Sequence, residues 1–90
     1  MNIAKFRLIR VASYLFPDEN TTIMALSQIE GLHTERINLS LAPEARWFYI
    51  VNECDKSGLL LSLVTEMLLH YPNNAELQQL RKDLAVNRKI

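Results

Sequence analysis

One cysteine, two glycines and three prolines are all that 90 residues hold of these types. Cys54, standing alone, cannot form an internal disulfide, so a secreted scaffold stapled by disulfides is excluded and a reducing, cytoplasmic setting is expected. Gly31 and Gly58 are isolated, and no glycine-rich phosphate loop can be assembled from them. No charge of one sign predominates either, because ten Lys and Arg offset ten Asp and Glu. The basic excess that holds nucleic-acid phosphates is therefore missing. Apolar runs are short, none approaching the roughly 18 residues of a membrane span. The N-terminal stretch lacks the apolar core and small-residue cleavage site of a secretory signal.

Reactive groups are equally sparse. His33 and His70 are the only histidines, and neither sits in a HExxH or CxxC-type ligand pattern. Glu53 and Asp55 are two apart, which points them in different directions on a helix and prevents them from working as an acid and base couple. Cys54 shares an apolar helical stripe with Trp47 and Val51, the position of a small buried hydrophobe and not of a nucleophile. No catalytic residue, cofactor-binding residue or metal ligand is expected.

What the chain does contain is helical periodicity in a 49% hydrophobic sequence, enough for one modest core and a single domain over residues 1–90. Leu8, Val11, Ala12 and Leu15 mark one face of a helix from Asn2 to Phe16, stopped by Pro17. A second helix, capped by Asp18 or Asn20, is expected to end near Gly31 and to bury Ile23, Leu26 and Ile29. A short turn over Thr34 to Ile37 precedes a helix opening at Pro43, with Trp47, Ile50, Val51 and Cys54 inward. After Ser57-Gly58 comes an apolar helix ending at His70, buried through Leu60, Leu63, Val64, Met67 and Leu68. Asn74 caps a last helix carrying Leu77, Leu80 and Leu84. The fold class is thus all-α, a compact antiparallel bundle of five to six short helices.

The zero net charge conceals segregation. Residues 1–16 carry Lys5, Arg7 and Arg10 without an acid, and residues 17–35 carry Asp18, Glu19, Glu30 and Glu35 without a base. Arg81, Lys82, Arg88 and Lys89 make the C-terminal end mainly basic. Trp47, Phe48 and Tyr49 are consecutive, so a helix cannot bury all three. Phe48 is expected to pack within the domain and Tyr49 to be available as an interface anchor.

Ala45-Arg46-Trp47-Phe48-Tyr49-Ile50-Val51, the turn Glu53-Cys54-Asp55-Lys56-Ser57-Gly58, the apolar Leu60, Leu63 and Val64, and His70-Tyr71-Pro72-Asn73-Asn74-Ala75-Glu76-Leu77 follow in that order. Together they resemble the bacterial effector-associated, death-like domain family. Leu15-Phe16-Pro17-Asp18 and Gly31-Leu32 extend the likeness upstream. The resemblance implies a death-like fold acting as an adaptor, joining like domains on separate proteins so that sensors or NTPases meet effectors in cell-suicide and antiphage defence. The partner it implies is a like domain on the same or another protein, with a homo-oligomer as one form. The opposed charge clusters suggest that Lys5, Arg7 and Arg10 meet acids such as Glu53 and Asp55 on another copy or a related domain, and Tyr49 is a further candidate interface residue. The alternative is a helix-turn-helix regulator, suggested by the offsets of Ser27, Gly31 and Ile37. Its recognition helix would pair Glu35 with Arg36 and end before Pro43, leaving little positive charge for DNA.

Overall fold

Pro17 ends the first helix where the sequence places the stop, and the rest of the chain follows in four further helices. The computed structural model describes residues 3–87, so the expected helix start at Asn2 and the basic pair Arg88 and Lys89 lie outside the described residues. The elements are α1 (Ile3–Leu15), α2 (Glu19–Leu26), a 3-10 turn (Thr34–Arg36), α3 (Pro43–Lys56), α4 (Leu60–His70) and α5 (Ala75–Asn87). No strand occurs among the described residues. The all-helical class is as expected.

Helix α1 packs on α3 and α5, α4 packs on α5 and α3, and α2 packs on α4. The expected stripes of α3, α4 and α5 are all buried, and with Leu8, Ala12, Phe16, Ala25 and Leu26 they form one continuous core. Thr21 N–H donates to Asp18 Oδ1 at 2.7 Å, identifying Asp18 as the cap of α2. Leu77 N–H donates to Asn74 Oδ1 at 2.9 Å, the cap expected for α5.

Three expectations change. Helix α2 stops at Leu26, well short of Gly31, and the Ser27 hydroxyl that follows donates to the Met24 carbonyl at 3.1 Å. Ile23 is 48% exposed. The inward positions of α2 belong to Thr22, Ala25 and Leu26, and Thr22 tolerates burial by donating its hydroxyl to Asp18 O at 2.7 Å. Phe16, read only as a helix end, is fully buried.

That last change exposes the principal joint of the molecule. The final carbonyls of a helix have no partners within it, and those following α1 are met from other elements. Trp47 Nε1 donates to Phe16 O at 2.9 Å, Arg46 Nη2 to Pro17 O at 2.6 Å, and the Tyr71 hydroxyl to Leu15 O at 3.3 Å. Phe16 sits beneath them, with its ring centroid 6.0 Å from that of Trp47 and 5.4 Å, edge-on, from that of Tyr71. Arg46 is itself buried, and its Nη1 donates to Leu39 O at 3.0 Å and Leu41 O at 2.8 Å. One guanidinium thus ties the loop before α3 to the α1–α2 corner.

Helix α3 closes with paired bonds, Leu59 N–H to Cys54 O at 2.7 Å and Gly58 N–H to Asp55 O at 3.2 Å. This closure places the residue after the cap in the left-handed region, and Gly58 has φ +72°. No atom would obstruct an added Cβ, so Gly58→Ala isolates the backbone cost. We expect a loss of about 1–2 kcal/mol in chemical denaturation.

Asp18 supplies a pH dependence. The hydrogen bond from the Thr21 amide, then that from the Thr21 side chain, with a smaller contribution from the charge of Arg46, lowers its pKa in the folded chain. The stability it contributes is present above the unfolded value of about 4 and is lost as pH falls through the lower folded value. Thermal melts of Asp18→Asn, which keeps a capping oxygen, should therefore decline less steeply than the parent below about pH 4.

Candidate protein interface

Helices α1 and α3 run antiparallel. Lys5 Nζ reaches Asn52 Oδ1 at 2.7 Å and Asp55 Oδ2 at 3.0 Å, while at the other end the Ser13 hydroxyl lies 3.5 Å from Pro43 O. Lys5 and Asp55, expected to meet across copies, pair here within one chain. Arg7 is likewise engaged, through Nε to Glu76 at 2.8 Å and through Nη1 to Asp83 at 3.1 Å. The hydrogen bond with Glu76 is the main cause raising its pKa further. Glu53 lies 3.8 Å from Arg36. The opposed charges that suggested attraction between copies largely balance inside a single one, because residues some 50 apart in sequence become neighbours when α1 lies against α3.

Arg10 and Tyr49 remain of the expected set. Arg10 is exposed and forms no ion pair among the described residues. Tyr49 is 55% exposed, with its ring edge-on to Phe48 at a centroid distance of 5.4 Å. Phe48, expected to pack inside, is 47% exposed, because Trp47, Ile50, Val51 and Cys54 fill the inward positions of α3.

A residue unmarked in the sequence completes the surface. Ile3, Phe6, Arg10 and Tyr14 recur at steps of three and four along α1, on the side away from Leu8 and Ala12. Phe6 is 56% exposed, and Ile3 and Tyr14 more so. The antiparallel register brings Phe48 between the levels of Phe6 and Arg10. The signal for Phe6 was an aromatic ring on the polar side of the wheel, between Lys5 and Arg7.

The chain matches no family model, no curated protein and no solved structure. The face must therefore be judged on its own chemistry. Phe6, Phe48, Tyr49 and Arg10 are residue types enriched where proteins bind one another. The Lys5–Asp55 pair forms its polar edge.

The remaining reactive groups lie elsewhere. Cys54 is fully buried on α3, and burial, followed by the charge of Glu53, pushes its thiol up to about 12. An alkylating reagent at pH 8 should label the native chain only at the rate of its unfolding, whereas labelling as fast as in denaturant would place the thiol outside the core. His33 lies 3.4 Å from Glu35, and His70 lies 4.0 Å from Glu66. Among the described residues no group of three or more His, Cys, Asp and Glu could hold a metal, and no helix is long and apolar enough to cross a membrane. The helix-turn-helix alternative finds only the three-residue turn Thr34–Arg36 where its recognition helix would lie.

Proposed function

We propose that this chain is a non-catalytic protein-interaction module, an adaptor of death-like type that associates with a like domain in the cytoplasm to recruit or cluster an effector, as in bacterial antiphage and cell-suicide signalling. The observation carrying this reading is the α1–α3 face, where Phe6, Phe48 and Tyr49 are half-exposed beside Arg10, which forms no ion pair among the described residues. Apolar rings give affinity by leaving water, and a guanidinium free of internal partners can direct a protein acid onto them. The burial of Cys54, which raises the pKa of its thiol, supports the non-catalytic half of the proposal.

A photo-crosslinking side chain tests it. Placed at Tyr49 and irradiated in lysate of the source cells, it should yield a discrete protein adduct that is absent when the same group replaces Gln79 on α5. Diffuse labelling equal at both positions would count against the face as an interaction site. Phe48→Glu should remove the adduct and leave the melting temperature within a few degrees, since the ring is half outside the core.

A further inference from the structure

On the reading of the chain as an interaction module, we infer that the α1–α3 face docks into the groove between α4 and residues 27–30, the segment that follows α2, of a second copy, head to tail. The groove is an open cavity of about 800 Å³, with Ile29 and Leu61 among its lining and the acids Glu30 and Glu66 at its sides. The Glu66 side chain is only 13% exposed, with His70 Nε2 at 4.0 Å and no Lys or Arg paired to it among the described residues. A recessed carboxylate without a Lys or Arg partner, opening into a partly apolar groove, suits an incoming guanidinium, whose planar fork matches it in geometry.

The same chain carries the complementary group. Among the described residues Arg10 forms no ion pair, and it stands between Phe6 and Tyr14 on the exposed side of α1. Residues 17–35, which supply one wall of the groove, contain four acids and no Lys or Arg, so no base there repels the guanidinium. The alternative cations, Arg81 and Lys82 on α5, border a separate cavity of about 480 Å³ with Leu68 and Pro72 and have no aromatic ring beside them there. The groove is lined by residues 27–30 and by Leu61, Ser62, Thr65 and Glu66 of α4 and shares no residue with the α1–α3 face, so one molecule can offer both. The contact is therefore heterologous, and successive copies add in one direction until a ring closes or the chain of copies ends.

Sedimentation equilibrium of the purified chain tests this arrangement, using Arg10→Glu to spoil the face and the pair Glu30→Lys, Glu66→Lys to spoil the groove. The parent should grow in average mass with concentration, and this growth should weaken as salt rises. Each variant alone should remain a monomer. Their equimolar mixture should give a 1:1 heterodimer that grows no further, because one intact face then meets one intact groove. A mixture that stays monomeric while the parent associates would overturn the head-to-tail contact in favour of a symmetric one.

A parent that stays monomeric into the millimolar range would overturn self-docking altogether. The Tyr49 crosslink to another protein would in that case still uphold the module reading, and its absence would remove both. If the paired groove variant does not fold, Glu30→Lys alone, at an exposed position, should weaken association at least tenfold. Arg81→Glu should leave association unchanged, and loss of association in that variant would relocate the contact to α5.

Discussion

Trp47→Ala should lower the unfolding free energy by about 3–5 kcal/mol, the range for emptying a buried tryptophan site. Two losses combine there. The indole is fully buried against Phe16, so its removal opens a cavity at the α1–α3 joint, and Phe16 O loses its donor at 2.9 Å. Trp47→Phe separates the two, because it refills most of the cavity without restoring the hydrogen bond. Its expected cost is about 1–2 kcal/mol beyond the change in ring volume. In a domain with roughly 5–15 kcal/mol in total, the alanine variant should be partly unfolded at moderate temperature. Urea denaturation followed by circular dichroism checks both, and equal losses for the two variants would show that the indole N–H, not the ring volume, dominates.

Arg46→Met should cost about 2–4 kcal/mol, an effect of similar size from a different cause. The methionine keeps much of the buried stem but leaves Pro17 O, Leu39 O and Leu41 O without the guanidinium that now reaches all three. Arg46→Lys should recover only part of the loss, since an ammonium cannot span carbonyls on two separate loops as a planar fork does. The opposing term is desolvation: Nε is buried without a partner among the described residues, so the net effect is smaller than three full charged bonds would give. Hydrogen exchange at Leu39 to Leu41 should rise in Arg46→Met more than exchange in α4, because the loop loses its anchor first.

The buried faces of α3, α4 and α5 were legible because their apolar residues recur at helical spacing and nothing competes with that pattern. Trp47, Ile50, Val51 and Cys54 are inward as periodicity predicts, as are Leu60, Leu63, Val64, Met67 and Leu68. Ile23 failed because the phase of α2 follows contacts made at a distance in sequence: Thr22, a polar residue on any hydropathy pattern, is buried once its hydroxyl serves Asp18 O and lies 3.3 Å from Phe16 O. Arg46 was illegible for the same reason. A charged side chain reads as solvated until the orphan carbonyls that accept its protons are brought around it.

The interface was half legible. Charge order alone singled out Lys5, Arg7 and Arg10, yet only the fold distinguishes a cation already paired from one left free. Tyr49 follows from three consecutive rings on a helix, whereas Phe48, expected at the side of the helix against a neighbour, is 47% exposed. Trp47 and Tyr71, two residues that carry the resemblance to death-like domains, here serve the corner after α1 through their bonds to Phe16 O and Leu15 O. The motif residues thus build the joint, while the proposed interface lies on less conspicuous positions.

The most direct test of that surface is a dilution series of amide chemical shifts on the isotope-labelled chain, from millimolar to micromolar concentration. The amides of Phe6, Arg10, Phe48 and Tyr49 should shift together with those of Ile29, Glu30, Leu61 and Glu66, along one concentration curve. Shifts confined to α5 around Arg81 and Lys82, or none at any position, would contradict the assignment of the α1–α3 face to binding another copy of this chain.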